Sequence, residues 1–309
     1  MVEDRPDPKP GPGTVVVVVE AAGVNYVDAL FIEGRYQIKP ALPFTPGSEI
    51  AGTVTAVGPG VDTVAVGDRV LASTGLGGFA THAVVPAGSL FAVPESLDGP
   101  RAATFTQSYC TALFALRERG GLAAGETVLV LGGGGGVGLA TVDVAVALGA
   151  NVIAAASSAA KRAAAVEAGA FAVIDTAGED LKVRARELAG GSGVDVVLDP
   201  VGGQLAEPAL RALGDGGRYL VIGFASGTIP SLPLNQVLLR NRAVVGVDWG
   251  AWAMGHPDAQ ASLMTELLAM AGAGRLDPVA PATFGLGGVA EALGSLTGRR
   301  AVGKVALVP

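Results

Sequence analysis

The residues best suited to chemistry lie in a glycine-rich turn, Gly132-Gly133-Gly134-Gly135-Gly136-Val137-Gly138, which contains the spacing Gly-x-Gly-x-x-Gly. The sequence predicts a buried strand, Glu126–Leu131, that enters this turn and an apolar helix, Gly138–Leu148, that leaves it. Glycines let a backbone approach a diphosphate closely, and the first N–H groups of a helix are available to bind it. This context predicts a dinucleotide site that includes Gly133, Gly135, Gly136, Val137 and Gly138.

The end of the next predicted strand, Asn151–Ala156, indicates which dinucleotide binds. NAD sites usually place Asp or Glu there to bind the ribose 2′-hydroxyl. Here Ser157 and Ser158 follow the strand, and Lys161 and Arg162 come next. Hydroxyl and ammonium groups favour a 2′-phosphate, because one charge-assisted hydrogen bond contributes about 1.5–3 kcal/mol. We therefore expect NADPH, with Ser157 and Lys161 at its 2′-phosphate.

Composition narrows the class of protein. A chain of 309 residues, half of them hydrophobic, is long enough for about two domains. Its net charge of −7 argues against a nucleic-acid surface, which needs clustered Lys and Arg. We recognise neither a signal peptide nor an apolar segment near the ~20 residues of a membrane span, so we expect a cytoplasmic protein without a membrane partner. The single cysteine, Cys110, excludes an intrachain disulfide.

Two patterns of secondary structure divide the chain. Short Val-rich segments separated by turn residues predict an antiparallel barrel or sandwich, with strands at Thr14–Glu20, Ile50–Val57, Arg69–Ala72 and Ala80–Val85. After Ser96, strands and helices alternate, which predicts a doubly wound parallel sheet. Its further strands are expected at Ala172–Asp175, Val194–Asp199 and Arg218–Gly223, and its helices at Ala102–Gly120, Ala159–Ala168, Leu181–Leu188, Leu205–Leu213 and about Pro257–Ala273. The closing strand, Lys304–Val308, could rejoin the first domain.

Several stretches resemble, in order along nearly the whole chain, the medium-chain dehydrogenase/reductase superfamily. They are 22–25 (AGVN), 42–49 (LPFTPGSE), 66–70 (VGDRV), 77–80 (GGFA), 135–138 (GGVG), 199–203 (DPVGG) and 221–227 (VIGFASG). Within this superfamily the sequence is similar to the zinc-independent, zeta-crystallin-like NADPH:quinone oxidoreductases. The resemblance implies an α/β protein with a GroES-like β-barrel substrate domain, residues 1–99 and 277–309, and a doubly wound Rossmann domain, residues 100–276. It also implies a homodimer and NADPH-dependent reduction of quinones.

The resemblance raises the question of zinc. In zinc alcohol dehydrogenases of the superfamily, the catalytic metal is held by residues aligned with Asn25, Ser48 and Gln107. None of these is a thiolate or an imidazole, and one Cys and two His in the chain leave no tetrahedral N/S site. The four-cysteine structural zinc lobe is missing as well, and Cys110 is expected to be a small buried residue. We therefore predict that no metal takes part.

Reduction without a bound metal ion favours an acceptor whose own conjugated system delocalises the negative charge brought by the hydride. A quinone does so, and so does an α,β-unsaturated carbonyl; reduction of enals, enones or enoyl thioesters on the same scaffold is the alternative. An alternative of another class is a non-catalytic NADPH-binding protein in the manner of lens crystallins.

The resemblance also implies roles for individual residues, each with a structural alternative. Asn25 is expected to face nicotinamide and substrate, with its amide donating to a carbonyl oxygen, and Ser48 and Gln107 are further donor candidates. Tyr36 and Phe79 could wall an aromatic substrate pocket or belong to the core. Trp249 is expected at the substrate pocket, in a strand used for the cofactor and for dimer pairing, or in the core.

The remaining expectations concern the cofactor and two carboxylates. Thr176 stands where the family often places Tyr or His near the adenine, and Gly223, Phe224 and Ala225 are expected to offer backbone amides to the nicotinamide. Lys304 is expected to reach the cofactor or substrate entrance, or to be a surface lysine. Asp28 and Glu49 are expected to be structural partners of an arginine such as Arg69. The family usually has a further strand pair ahead of Asp4, whose absence would expose a sheet edge.

Overall fold

A computed structural model describes residues 2–309, which divide into two compact units. Unit 1 runs to Gln107 and also contains Leu268–Gly274 and Val279–Pro309; unit 2 contains Ser108–Leu267 and Arg275–Pro278. These bounds differ from those expected at residues 99 and 277. The backbone N–H of Gln107 donates to Glu49 at 3.0 Å, and Ser96 donates to the Ala271 carbonyl at 3.2 Å. Hydrogen bonds of this kind keep both flanking segments in unit 1.

Unit 1 is built on a mixed seven-stranded sheet. Its strands are β1 (Thr14–Val24), β2 (Glu49–Val57), β3 (Arg69–Ser73), β4 (His82–Pro86), β5 (Leu90–Ala92), β12 (Ala282–Gly285) and β13 (Val305–Val308). They follow the order β12-β13-β1-β2-β3-β5, and β4 also pairs with β1. The closing strand does rejoin the first unit, where Val24 pairs with Val305. The strands between Thr14 and Ala92 pair antiparallel, as predicted, and the two C-terminal strands β12 and β13 add one parallel pair.

The core of unit 1 explains its long first strand. β1 contains five consecutive valines, and β-branched side chains favour the extended backbone. Val15, Val17 and Val19 are buried in one apolar cluster with Ile50, Val54 and Leu307. Three α-helices lie wholly within unit 1, namely α1 (Tyr26–Ile32), α2 (Gly99–Ala103) and α11 (Val289–Thr297).

Unit 2 is built on a six-stranded parallel sheet, as the alternating pattern predicts. Its strands are β6 (Thr127–Leu131), β7 (Asn151–Ala156), β8 (Ala172–Asp175), β9 (Val194–Asp199), β10 (Leu213–Val221) and β11 (Ala243–Gly246). Their order, β11-β10-β9-β6-β7-β8, is that of a doubly wound dinucleotide-binding sheet. The strand order reverses between β6 and β9, and ligands of such sheets bind outside the carboxyl ends of the strands at this switch point.

Helices connect these strands or follow the last of them. They are α4 (Gly136–Ala147), α5 (Ala159–Glu167), α6 (Leu181–Leu188), α7 (Ala206–Ala212), α8 (Leu234–Leu238) and α9 (Trp249–Gly255). Two more, α3 (Thr106–Leu113) and α10 (Pro257–Gly272), cross the boundary between the units. The prediction of one helix over Ala102–Gly120 was wrong: α2 ends before Thr104, and α3 passes into a π-helical segment, Phe114–Arg119. The Thr104 hydroxyl bonds back to the carbonyls of Pro100 and Arg101, which favours ending α2 there.

Over residues 2–309, no helix combines the length and apolar character needed to cross a membrane.

Candidate active site

The glycine-rich turn joins β6 to α4 at the switch point of unit 2. Gly132 adopts φ = +61°, which glycine tolerates best, and Gly135 is the N-cap of α4. A Cβ on Gly138 would lie 2.2 Å from the Gly132 carbonyl oxygen, so only glycine lets the helix approach the turn so closely. At Gly135 such a Cβ would lie 3.4 Å from the Gly132 carbonyl oxygen, an ordinary contact distance, so packing within the protein does not by itself require glycine there. The N–H groups of the first turn of α4, from Gly136, Val137 and Gly138, have no acceptor within the helix and suit a diphosphate.

Two other glycines of the turn position neighbouring strands and side chains. The Gly133 N–H donates to the Ala155 carbonyl at 3.0 Å, and a Cβ on Gly133 would lie 2.7 Å from the Ala154 Cβ. Gly133 therefore packs the turn against β7 rather than offering its amide to a ligand. A Cβ on Gly134 would lie 2.3 Å from the Lys161 Cβ. The stem of Lys161 thus lies directly against the glycine-rich turn.

The end of β7 carries the polar residues expected at a 2′-phosphate. Ser157 is exposed, and Ser158 caps α5 by accepting from the Lys161 N–H at 3.4 Å. The Arg162 guanidinium is already bound within the protein, to Asp175 at 3.0 Å and to the Ala156 carbonyl at 3.2 Å. This strand end therefore carries the exposed hydroxyl of Ser157, with the stem of Lys161 packed against the neighbouring turn.

The residue after β8, Thr176, is half-buried. Its N–H donates to the Ala156 carbonyl at 3.3 Å, so its backbone is tied to the end of β7.

A carboxylate that sequence reasoning did not single out organises the far side of the switch point. Asp199, at the end of β9, is 2 % exposed and accepts from the N–H groups of Val201 and Gly202 at 2.7 and 2.8 Å. Its other oxygen accepts from the Tyr219 hydroxyl, and burial raises the pKa of Tyr219 above its ordinary range. Its position at a strand end before Pro-Val-Gly-Gly was the available signal.

The segment expected beside the nicotinamide is tied to this turn. The Gly223 N–H donates to the Asp199 carbonyl at 3.3 Å, and the Ala225 N–H to the Pro200 carbonyl at 3.0 Å. These two amides are therefore already satisfied within the protein, contrary to the role expected of them. Phe224, between them, is 37 % exposed.

Unit 1 contains a compact polar cluster around a buried ion pair. Lys304 Nζ lies 2.9 Å from Glu49 Oε1, and the two side chains are 11 % and 1 % exposed. Arg69 instead pairs with Glu20, at 3.6 Å. The alternative that Lys304 is a surface lysine and the expectation that Glu49 pairs with Arg69 were both wrong. The register explains this, because Val305 pairs with Val24 and so brings Lys304 beside Asn25.

The ion pair fixes the amide of Asn25. Its oxygen accepts from Lys304, and its nitrogen donates to Glu49 at 2.8 Å and more weakly to Ser48 at 3.5 Å. Both amide hydrogens therefore have acceptors inside the cluster. The structure thus does not support Asn25 as the free donor to a substrate carbonyl, although it brings Asn25, Ser48 and Gln107 together as predicted.

Ser48 and Gln107 are the donors that remain. Gln107 Nε2 donates to Ser48 Oγ at 2.7 Å, which leaves its second amide hydrogen uncommitted by this bond. Ser48 Oγ accepts from Gln107 and Asn25, so its own hydrogen is left to donate, and the Asp28 carboxyl is one acceptor within its reach.

Asp28 lies beneath this cluster and is fully buried. One carboxyl oxygen accepts from the Asn25 N–H at 2.8 Å, and the other, Oδ1, has no hydrogen-bond partner. Burial raises the pKa of the Asp28 carboxyl to about 6; the Asn25 N–H and the Ser48 hydroxyl oppose that rise, the Glu49 carboxylate adds to it, and Lys304 lowers it. The expected arginine partner was wrong for Asp28 as well.

The aromatic candidates lie in three different settings. Tyr36 is half-buried and packs edge-on against Phe31, with ring centroids 4.8 Å apart. Phe79 is 7 % exposed and belongs to the core of unit 1, which favours its structural role. Trp249 is the first residue of α9 and donates to Gln260 at 2.8 Å, so its expected place in a strand was wrong.

The cluster does not fit a zinc ion. Its side chains at the three positions are two neutral amides and a hydroxyl, whereas zinc in proteins is bound by thiolates, imidazoles and carboxylates. Among the described residues, no three His, Cys, Asp or Glu side chains are grouped to hold a metal. Cys110 is buried, with its sulfur 3.6 Å from that of Met264.

A mixed sheet with an internal polar cluster, and a doubly wound sheet with a glycine-rich turn, together define a medium-chain dehydrogenase/reductase. Residues 11–95 match the alcohol dehydrogenase GroES-like domain family, and residues 136–268 match the zinc-binding dehydrogenase family. The match confirms the predicted fold class, although the donor set departs from the second family's description.

Comparison with individual proteins narrows the family. The chain is 39 % identical to a quinone oxidoreductase-like protein 2 homologue of Nematostella vectensis, over 96 % of this chain and 82 % of the relative. It superimposes with a TM-score of 0.88 on Escherichia coli quinone oxidoreductase in complex with NADPH, at 29 % identity over 100 % of this chain and 95 % of that one. A mycobacterial protein in complex with NADPH gives a TM-score of 0.90, at 32 % identity over 99 % and 95 % of the two chains. The chain belongs to the quinone oxidoreductase-like family of medium-chain dehydrogenases/reductases.

Proposed function

We propose that this protein is an NADPH-dependent reductase of quinones that works without a metal ion. The observation that carries the proposal is the close packing of the Lys161 stem against Gly134, which sets a lysine beside the glycine-rich turn at a strand end without a carboxylate. The E. coli and mycobacterial relatives, both in complex with NADPH, support the same choice of cofactor.

Different residues of unit 2 would bind different parts of the cofactor. The amides at the start of α4 would bind the diphosphate, aided by the helix dipole. Ser157 and Lys161 would bind the 2′-phosphate, and Thr176 lies near the strand end that should face the adenosine. The Asp199 turn and the segment at Phe224 would flank the nicotinamide, with Asp199 holding that segment in position.

The residues of unit 1 would receive the acceptor. When bound, NADPH supplies a hydride. The Ser48 hydroxyl and the Gln107 amide would donate to the acceptor's carbonyl oxygen, while Lys304 and Glu49 hold Asn25 and so fix the orientation of Ser48. Neutral donors give less stabilisation than a metal ion, so the acceptor must spread the incoming charge through its own conjugation.

Reduction of enals, enones or enoyl thioesters is a second candidate. The observation that favours it is the donor set itself, because Ser48 and Gln107 suit any conjugated carbonyl oxygen and do not require a quinone ring.

Oxidation of NADPH with a set of acceptors distinguishes these candidates. We expect turnover with 9,10-phenanthrenequinone and 1,4-benzoquinone that exceeds turnover with an alkenal and a crotonyl thioester. Turnover of the alkenal or thioester with inert quinones would replace the first candidate by the second. Tight NADPH binding without turnover of any acceptor would indicate a non-catalytic, crystallin-like protein.

We also propose that a second copy of this chain covers the β11 edge of the unit 2 sheet. β11 is the edge strand, and its Val244 side chain is 43 % exposed. Three leucines shortly before β11 are also between 69 % and 78 % exposed, namely Leu234, Leu238 and Leu239. Such a group of exposed apolar side chains beside an open sheet edge is typical of an interaction surface.

Sedimentation analysis tests this pairing. The wild-type chain should be a dimer, and Val244→Lys should shift it toward monomer. The matched control is Leu42→Lys, which changes an 84 % exposed leucine of unit 1 and should leave the dimer intact. A monomeric wild type would exclude the pairing.

A further inference from the structure

Arg162 lies at the end of β7 and contacts the rest of unit 2 through only one guanidinium nitrogen. Its Nη1 donates at 3.2 Å to the carbonyl of Ala156, the last residue of β7, and lies 3.0 Å from Asp175 Oδ1. Nε and Nη2 make no hydrogen bond with residues 2–309, although both carry N–H donors. The guanidinium is therefore held by one nitrogen and keeps donors for a further acceptor.

Lys161 and Arg162 contact different neighbours of this strand end. β7 lies between β6 and β8 in the sheet. The Lys161 stem packs against Gly134 in the turn after β6, whereas Arg162 pairs with Asp175, the last residue of β8. Consecutive residues of a helix point about 100° apart, so α5 can place one side chain toward each neighbour. The two basic residues therefore flank the strand end at which NAD-binding proteins usually carry an acidic residue.

Asp175 fixes the orientation of the Arg162 guanidinium. Its Oδ1 also accepts from the Ala177 N–H at 3.0 Å, so the turn after β8 holds the carboxylate in place. The side chains of Arg162 and Asp175 are only 21 % and 33 % exposed, so solvent screens this pair less than it screens a surface pair. A guanidinium that is already oriented loses less conformational freedom when it binds a ligand than a mobile side chain does.

A phosphate monoester suits the donors that Arg162 keeps. Such a group carries a charge of about −1.5 to −2 at pH 7 and offers several acceptor oxygens, which is more than a single ammonium neutralises. Nε and Nη2 lie on one edge of the guanidinium, and two parallel N–H groups on such an edge match two phosphate oxygens. The 2′-phosphate of adenosine is a group of this class, and it would bind over the end of β7.

We propose that Arg162 is a second basic ligand of the 2′-phosphate and that Asp175 is the residue that positions it. The inference rests on the proposed function, because it requires NADPH as the cofactor. Arg162 would touch the phosphate through Nε and Nη2, and Asp175 would act through Arg162. The preference for NADPH is then shared between Lys161 and Arg162.

Calorimetric titration of the full chain with adenosine 2′,5′-bisphosphate and with adenosine 5′-monophosphate tests the inference without catalysis. The two ligands differ only in the 2′-phosphate. Arg162→Gln should weaken binding of the bisphosphate by about tenfold or more, as expected for the loss of charge-assisted hydrogen bonds. Binding of the monophosphate should stay nearly unchanged. NADPH and NADH should show the same contrast.

Arg184→Gln is the matched control. Arg184 lies on α6 in the same unit and pairs with Glu179 at 3.3 Å and with Glu187 at 3.1 Å. Its substitution removes the same charge from another helix, so both affinities should stay at the wild-type level. A loss of bisphosphate affinity as large as that of Arg162→Gln would show that total charge matters and not the position of Arg162, which would overturn the inference.

Two substitutions of Asp175 test the positioning role. Asp175→Asn keeps an oxygen that can accept from Arg162 and from the Ala177 N–H, whereas Asp175→Ala removes it. We expect Asp175→Ala to lose affinity for the bisphosphate alone and Asp175→Asn to retain it. Equal losses in both variants, or none in either, would overturn the positioning role.

Arg162→Lys separates the shape of the guanidinium from its charge. A lysine keeps the charge but has one nitrogen, which cannot bind Ala156 and Asp175 and also present a separate pair of donors. It should therefore weaken the bisphosphate by an intermediate amount, and it decides the question if Arg162→Gln does not fold. Wild-type discrimination between the two ligands in both Arg162 variants would overturn this inference alone. A wild type that binds the bisphosphate no more tightly than the monophosphate would overturn the proposed choice of NADPH together with it.

Discussion

Lys304 Nζ lies 2.9 Å from Glu49 Oε1 in a setting where Glu49 is only 1 % exposed. The pair joins the start of the C-terminal strand β13 to the start of β2, and it holds Asn25 through both ends of its amide. Because both charges are largely removed from water, the pair is a positional constraint more than a source of net stability. Its removal should therefore affect the fold and the site together.

Lys304→Met should destabilise unit 1 strongly. Removing one partner of a buried pair leaves an uncompensated charge, which costs about 3–5 kcal/mol. Urea denaturation would measure this loss, and the double variant Lys304→Met with Glu49→Gln should recover part of it.

An exposed ion pair provides the control for that measurement. Arg240 and Asp215 are 45 % and 79 % exposed, so Arg240→Ala should cost no more than about 1 kcal/mol. Equal effects of Lys304→Met and Arg240→Ala would show that the buried pair has no special role.

Gly134→Ala should weaken NADPH binding more than NADH binding. The new Cβ would lie 2.3 Å from the Lys161 Cβ and 2.7 Å from its Cα, so Lys161 must move away from the turn. Fluorescence titration should show at least a tenfold loss for NADPH, as expected when a charge-assisted bond of about 1.5–3 kcal/mol is broken.

Lys161→Glu should also reduce the preference for NADPH over NADH, in this case through its charge alone. It should weaken NADPH much more than NADH, because a carboxylate repels the 2′-phosphate. An equal loss of both cofactors in these variants would contradict the assignment of Lys161 to the phosphate.

The stability of the protein should depend on the ionisation of Asp28. The folded-state pKa of about 6 lies above the ordinary value of 3.8, so the folded protein binds more protons between these values. Stability should therefore decrease as the pH rises from about 4 to about 6, and stay lower above that. Asp28→Asn should remove this contribution, which amounts to about 3 kcal/mol at neutral pH.

Difference measurements are needed for this test because Asp143 titrates in the same range. The free energy of unfolding of Asp28→Asn, relative to the wild type, should increase across the window and then level off. A difference independent of pH would mean that folding does not raise the pKa of Asp28.

Chelation should leave the activity unchanged. The polar cluster offers two amides and a hydroxyl at the positions that bind zinc in related dehydrogenases, and each already has hydrogen bonds within the protein. Incubation with 1,10-phenanthroline followed by the NADPH oxidation assay measures this. Loss of activity that zinc restores would contradict the metal-free account.

The sequence predicted the parts of the protein that depend on local pattern. The alternation of strands and helices gave the doubly wound sheet, and the glycine-rich turn lies at its switch point. The partners of charged side chains were not predictable in this way. Lys304 meets Asn25 across 279 residues because β13 pairs with β1, and no local pattern contains that register. The break at Thr104 was not predicted for a different reason, because the three residues before it, Arg101, Ala102 and Ala103, are good helix formers.

The central claim is that this protein passes a hydride from NADPH to a conjugated carbonyl acceptor. Anaerobic mixing with NADPH and 9,10-phenanthrenequinone, followed by product analysis, tests it most directly. We predict one hydroquinone for each NADPH consumed, at a kcat/KM at least tenfold higher than with NADH. No enzyme-dependent consumption of NADPH, with this quinone or with the alkenal and thioester, would contradict the claim.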